Sequence, residues 1–170
     1  MSSRTPFKVL CVCLGNICRS PTAEVVLRHY CDVHNLNIMI DSAGTSNYHP
    51  GKAPDLRSQE HALKRGYDLS ALRARQLTLQ DFLDFDLMLA MDEDNLRDIL
   101  ALQKRAQQQL GQLRAEVALM SKYDSDYPKQ AVPDPYYGGA EGFERVLNQC
   151  ESSSLAWIDV FKMQQKELKV

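Results

Sequence analysis

At 170 residues and 44% apolar content, the chain has the length of a single domain and enough hydrophobic material to bury a core. Its 20 basic and 22 acidic residues nearly cancel and gather into no long run of one sign, which excludes a broad nucleic-acid face or a polybasic membrane surface. Any anion site must therefore be local, and one domain is expected over residues 1–170, with its core from 7 to 163.

The opening Met1 to Pro6 is short and polar. The apolar stretch behind it is too short for a membrane span and carries no cleavage pattern, so nothing there directs export. Five cysteines, Cys11, Cys13, Cys18, Cys31 and Cys150, are an odd number with no C-x2-C pair. That favours a reducing, cytoplasmic compartment and argues against structural zinc.

Phe7 to Leu14 is apolar and partly β-branched and runs into Gly15-Asn16, which predicts a buried central strand ending in a tight loop. From Pro21, apolar residues at Ala23, Val26, Leu27 and Tyr30 predict a helix that tolerates proline in its first turn. Asn37 to Ser42 reads as a second strand and Asp55 to Arg65 as a helix stopped by Gly66. A short helix is expected after Leu77, and then a third strand at Phe85 to Met91.

Asp92-Glu93-Asp94 places negative charge at the start of a helix that continues through Leu96, Ile99 and Leu100. Gln103 to Gln112 reads as a solvated helix end and loop, and Val117 to Tyr123 as a fourth strand. The last helix carries Phe143, Val146, Leu147 and Cys150 in one phase, continued by Trp157, Ile158 and Phe161. Strands alternating with helices imply an α/β fold with a parallel sheet covered on both faces. Ligands in such sheets sit beyond the carboxyl ends of the strands, where Cys13 to Ser20 lies.

Cys13 to Ser20 reads C-L-G-N-I-C-R-S, a cysteine and an arginine separated by five residues between a strand and a helix. Backbone wrapped around a tetrahedral anion aims successive N–H groups at its oxygens. The following helix adds its positive end, and Arg19 can close a bidentate fork. The same surroundings favour a thiolate, the nucleophilic form, at Cys13. On strand placement alone, though, Cys13 also fits a small core residue, and Asp134 between Pro133 and Pro135 also fits a turn former.

Four segments in order resemble the low-molecular-weight protein tyrosine phosphatases: Val12 to Glu24, Asp41 to Thr45, Met91 to Leu96 and D-P-Y-Y-G at Asp134 to Gly138. The resemblance implies a doubly wound, four-stranded parallel sheet with the phosphate-binding loop after the first strand. It implies Cys13 as nucleophile, Arg19 as phosphate clamp and Asp134 as general acid, with Ser20 donating to the Cys13 sulfur. Asn16 and Ser42 would hold the loop formed by Leu14, Gly15, Asn16, Ile17 and Cys18. Tyr48, Tyr136 and Tyr137 would wall the pocket.

It further implies that Cys18 can form a reversible disulfide with Cys13, while Cys31 and Cys150 on helix faces read as core. Asp92 reads as a capping or charge-pairing residue, and the resemblance places it near the phosphate-binding loop. Arg73 and Arg75 read as surface salt-bridging residues that could also approach a phosphoprotein. His29, His34, His49 and His61 have no ligand-like spacing, so neither metal nor cofactor is expected.

The expected partner is a phosphotyrosine protein, with a tyrosine kinase or its target as company, no nucleic acid and no membrane insertion; the chain is expected as a monomer or weak dimer. Among rivals on this fold, thioredoxin-coupled arsenate reductases need cysteines in mid-chain, and none lies between Cys31 and Cys150. Protein arginine phosphatases resembling this chain carry threonine where Ile17 stands. A non-catalytic phosphate-binding module would have no reason to keep Cys13, Arg19, Ser20 and Asp134 together.

Overall fold

The computed structural model describes residues 5–167; Met1 to Arg4 of the polar opening segment lie outside them. Strand β1 (Phe7–Cys13) is the axis of the molecule. It pairs in parallel with β2 (Ile38–Gly44) on one side and β3 (Leu87–Ala90) on the other, and β4 (Glu116–Leu119) extends the sheet beyond β3. The resulting order is β2-β1-β3-β4, so the chain reverses its direction of travel between β1 and β3. The loops leaving those two strands flank the crevice where doubly wound sheets bind ligands.

Burial on both faces explains the unbroken apolar run of β1, since alternate side chains must enter different cores. Val9, Cys11 and Cys13 point into the core shared with α1 (Arg19–Val33) and α5 (Ala140–Glu167). Leu10 and Val12 point the other way, toward Phe82 of α3 (Asp81–Asp84) and Ile99 and Ala106 of α4 (Glu93–Leu110). The remaining helix, α2 (Leu56–Leu63), packs against α5. The predicted phase of the last helix holds, with Phe143, Val146, Leu147, Cys150, Trp157, Ile158 and Phe161 all buried.

Several boundaries differ from expectation, among them β3, which is trimmed from Phe85–Met91 to Leu87–Ala90. The polar stretch Gln103 to Gln112 is helix through Leu110, because Ala106 is sealed into the second core. Gly111, at φ 83°, then ends the helix in a backbone conformation open to glycine. β4 stops at Leu119, and the chain turns through Ser121 to Asp124, where Trp157 Nε1 donates to Met120 O at 2.7 Å. β2 runs two residues further than predicted, to Gly44, which pairs with Cys13 and carries the sheet up to the loop.

Candidate active site

Leu14 to Cys18 leave the sheet between β1 and α1, and the carbonyls of Cys13, Leu14, Ile17 and Cys18 are held by donors outside the loop. Thr45 N donates to Cys13 O at 2.9 Å, Ser46 N to Leu14 O at 3.0 Å and Asp55 N to Ile17 O at 2.8 Å. Thr22 Oγ1 donates to Cys18 O at 2.7 Å. Backbone whose carbonyls are held behind it presents its N–H groups forward, and among the described residues none of the amides from Leu14 to Cys18 donates within the protein. The loop lies so close to β2 that a Cβ on Gly44 would stand 2.7 Å from Leu14 O, a collision with backbone that only glycine avoids.

Asn16 fixes the bend. At φ 57° it sits in the left-handed region, which asparagine tolerates better than most residues. Its amide is fully used: Nδ2 donates to Ser20 Oγ at 2.8 Å and to Ser42 Oγ at 2.9 Å, and Oδ1 accepts from Arg75 N at 3.0 Å. Ser42 in turn donates to Glu24 Oε1 at 2.7 Å, and Arg28 closes on the other oxygen of that buried carboxylate. Burial pushes the Glu24 carboxyl up from its ordinary value despite the hydrogen bonds from Ser42 and Arg28.

Cys13 is buried at the tip of β1, with Sγ 3.0 Å from Ser20 Oγ. Because Asn16 already donates to that oxygen, the Ser20 proton is free to be directed at the sulfur. Its alternative acceptor, Ala43 O, lies further off at 3.4 Å. Ser20 is therefore placed to stabilise a thiolate, which can only accept. Cys18, also in the loop, is a different thiol: burial pushes it up to about 12 against a weaker opposing bond from Ser58.

Arg19, 4% exposed, opens α1 and points across the crevice. Its Nη1 donates to Asp92 Oδ2 and, at 3.2 Å, to Val132 O, while Nη2 lies 3.7 Å from Asp134 Oδ2. Burial alone would lower the guanidinium; Cys13, Asp92 and Asp134 outweigh it and hold Arg19 above its ordinary value. Asp92 does both things expected of it, since its Oδ1 also caps α4 by accepting from Asn95 N at 2.7 Å. Asp134 stands half-exposed on the loop before α5, where its Oδ1 accepts from Tyr136 N at 3.0 Å.

These groups share one cavity of about 290 Å³ lined by Cys13, Leu14, Gly15, Ile17, Cys18, Arg19, Tyr48, His49, Asp134, Tyr136 and Tyr137. Tyr137 is 95% exposed and packs edge-on against Tyr136, so it extends the rim rather than walling the floor. His49 is the residue that sequence reasoning missed: it sits between the rings of Tyr48 and Tyr136, at 6.5 and 6.4 Å. No motif announces it. Arg75 lies behind the loop, paired with Asp41 and Asp81, while Arg73 bonds the carbonyls of Ser70 and Leu72 rather than a carboxylate. Cys31 and Cys150 are buried core residues, both thiols raised by burial to about 12.

Residues 8–169 match the family model described as low molecular weight phosphotyrosine protein phosphatase. A Synechocystis relative, named as a candidate low molecular weight protein-tyrosine-phosphatase, is 48% identical over 86% of this chain and 90% of its own. The structure of a protein tyrosine phosphatase from Entamoeba histolytica superposes with a TM-score of 0.82 at 35% identity, covering 96% of this chain and 99% of that one. A Drosophila arginine phosphatase reaches 0.83 at 32% identity, over 92% and 98%. A family match of this extent, on a sheet and loop of this geometry, places the chain in the low molecular weight phosphotyrosine protein phosphatase family.

Proposed function

We propose that this chain is a protein tyrosine phosphatase that hydrolyses phosphotyrosine in proteins, and small aryl phosphates, through a phospho-cysteine on Cys13. The observation that carries the reading is the loop itself. Its amides from Leu14 to Cys18 have no partner within the described protein, and the loop lines one cavity with the buried Cys13, Arg19 and Asp134. A phosphate dianion supplies the acceptors those donors lack.

In the first step the Cys13 thiolate attacks phosphorus, the bond to the aryl oxygen breaks, and Asp134 gives its proton to the departing phenolate. Arg19 and the loop amides hold the charge that spreads over the three equatorial oxygens. In the second step Asp134, now a carboxylate, takes a proton from water as that water attacks phosphorus. The P–S bond breaks, and Ser20 steadies the thiolate that leaves. Asn16 and Ser42 keep the loop in shape, and Leu14 and Ile17 with Tyr48, Tyr136 and Tyr137 contact the ring.

The substrate reading rests on Ile17 and the tyrosine rim, which suit an aryl ring better than a guanidinium. Resemblance to the Drosophila arginine phosphatase makes phosphoarginine the second reading. No helix among the described residues is long and apolar enough to cross a membrane, and the reading is completed by a cytoplasmic site of action on phosphoproteins. The chain would act as a monomer or weak dimer, with a tyrosine kinase or its target as functional partner. Cys18 is the redox partner: a Cys13 sulfenic acid condenses with its thiol to a disulfide and water. Peroxide inactivation should then be reversed by thiol, and less completely in Cys18→Ser; equal recovery would remove that role.

The test of the main reading is hydrolysis of phosphotyrosine, phosphoserine and phosphoarginine peptides by wild type and Cys13→Ser with EDTA present. Phosphotyrosine turnover that vanishes in Cys13→Ser is expected. Preference for phosphoarginine would overturn the substrate, and activity surviving the loss of Cys13 would overturn the mechanism.

A further inference from the structure

The segment Pro133 to Gly138, which carries Asp134, is held by few hydrogen bonds, although Arg19 Nη2 faces Asp134 Oδ2 at 3.7 Å. Its internal bonds are Tyr136 N to Asp134 Oδ1 at 3.0 Å and Gly138 N to Pro135 O at 3.1 Å. Among the described residues, one group from outside the segment hydrogen-bonds to it: Arg57 Nη2 donates to Tyr136 O at 3.0 Å. The same guanidinium lies 5.6 Å from the centroid of the Tyr136 ring and 4.8 Å from that of Phe143 at the start of α5, so it grips this segment and its neighbour by faces as well as by a bond.

Arg57 is itself anchored. Asp55 caps α2 and takes Nε and Nη2 of Arg57 on its two oxygens at 3.1 and 2.9 Å, a bidentate fork. Asp55 N donates to Ile17 O at 2.8 Å. A continuous chain of contacts thus runs from the phosphate-binding loop through Asp55, Arg57 and Tyr136 to the carboxyl group of Asp134. We propose that Arg57 is a positioning residue that sets the acid against the cradle. The proposal rests on Asp134 being the general acid.

An exposed Asp–Arg pair two residues apart would ordinarily contribute little. What sets this one apart is where its remaining contacts fall. Arg57 reaches 79 residues along the chain to the carbonyl next but one after the acid, and among the described residues no other hydrogen bond reaches that segment from outside it. Acid catalysis is sensitive to placement of the donor within a fraction of an ångström of the leaving oxygen. A lost strut should therefore appear in the proton-transfer step and leave phosphate binding intact.

The experiment measures kcat and KM for Arg57→Ala and Arg57→Lys, each alone and combined with Asp134→Asn, on phenyl phosphate and p-nitrophenyl phosphate. Inorganic phosphate serves as the probe of the cradle. Arg57→Ala should lower kcat/KM, which reports the first step alone, about tenfold on phenyl phosphate, the scale of one charge-assisted hydrogen bond. The loss of kcat/KM on the activated ester should be much smaller, and phosphate inhibition should stay put. Arg57→Lys, which keeps the charge and a donor group but not the planar fork, should recover part of the loss, and Arg57→Ala should cost nothing further in the Asp134→Asn background.

Equal losses on both esters, or a full additional loss in the double variant, would overturn the strut, because Arg57 would then act by some route other than the acid. Arg57 is nearly half exposed, so its variants are expected to fold. A loss in Asp134→Asn that ignores the leaving group would instead sink the acid assignment beneath it.

Discussion

Replacing Asn16 separates the two things that residue does. At φ 57°, alanine would meet the left-handed penalty of roughly 1–2 kcal/mol, whereas glycine meets none. Glycine pays instead in unfolded-state entropy, about 0.4–1 kcal/mol relative to alanine. Both lose the bonds to Ser20, Ser42 and Arg75 N, at roughly 1 kcal/mol each. Asn16→Ala should therefore lose about 4–5 kcal/mol, and Asn16→Gly about half to one kcal/mol less.

For a chain of this length each kcal/mol moves the melting temperature by about 2–4 °C, so Asn16→Ala should melt roughly 8–20 °C lower. Thermal and urea unfolding check the stability, and kcat/KM at a temperature where all three proteins are folded checks the loop. Activity should fall about hundredfold or more in both variants, since neither can hold Ser20 against Cys13. A melting shift under about 3 °C would refute the claim that these three bonds tie the loop. An alanine variant as stable as the glycine variant would refute the backbone argument.

Asp134→Asn should slow hydrolysis most for esters with poor leaving groups, because an activated phenolate needs little protonation; uniform slowing in a leaving-group series would remove Asp134 from the acid role. Asp124 accepts from Ser152 and Ser153 at 2.8 and 2.6 Å and from the amides of Asp126 and Tyr127. Burial alone would raise this carboxyl, but the bonds from Ser153, Ser152 and the two amides win and hold it below the ordinary range. The stability it contributes is then present above its unfolded value of about 3.9 and lost as pH falls through the lower folded value. Asp124→Asn should unfold more easily than wild type at neutral pH, with the gap closing in strong acid; a gap independent of pH would refute this.

What the sequence made legible were features with a local signature. The apolar run into Gly15-Asn16, the helical phase behind Pro21 and the spacing from Cys13 to Arg19 each depend on neighbours in the chain, and the loop stands where they put it. Glu24 had no such signature, because its burial follows from α1 lying on β2 and from Ser42 and Arg28 meeting its two oxygens. Arg57 and Tyr136, or Arg19 and Asp92, are partners only through the fold. The length of α4 was hidden for another reason: across its last turns only Ala106 is buried, and one small residue gives no hydrophobic period.

The cradle also carries a cost that the rest of the network must meet. Five amides without an acceptor among the described residues are tolerable only in an opening that solvent or an anion can reach, since each would cost about 1–3 kcal/mol if sealed away. A loop holding donors in that state must be fixed from behind, which accounts for the bonds to the carbonyls of Cys13, Leu14, Ile17 and Cys18 and for the full use of Asn16. An oxyanion that completes those donors should then stabilise the whole fold. At a hundred times its dissociation constant the gain is about 2.7 kcal/mol. That corresponds to a melting temperature roughly 5–11 °C higher in phosphate or tungstate than in chloride of equal ionic strength. Arg19→Ala should lose most of that rise while keeping any general salt effect. An equal rise in both proteins would mean that the anion acts elsewhere, and that the open amides are not the donors it completes.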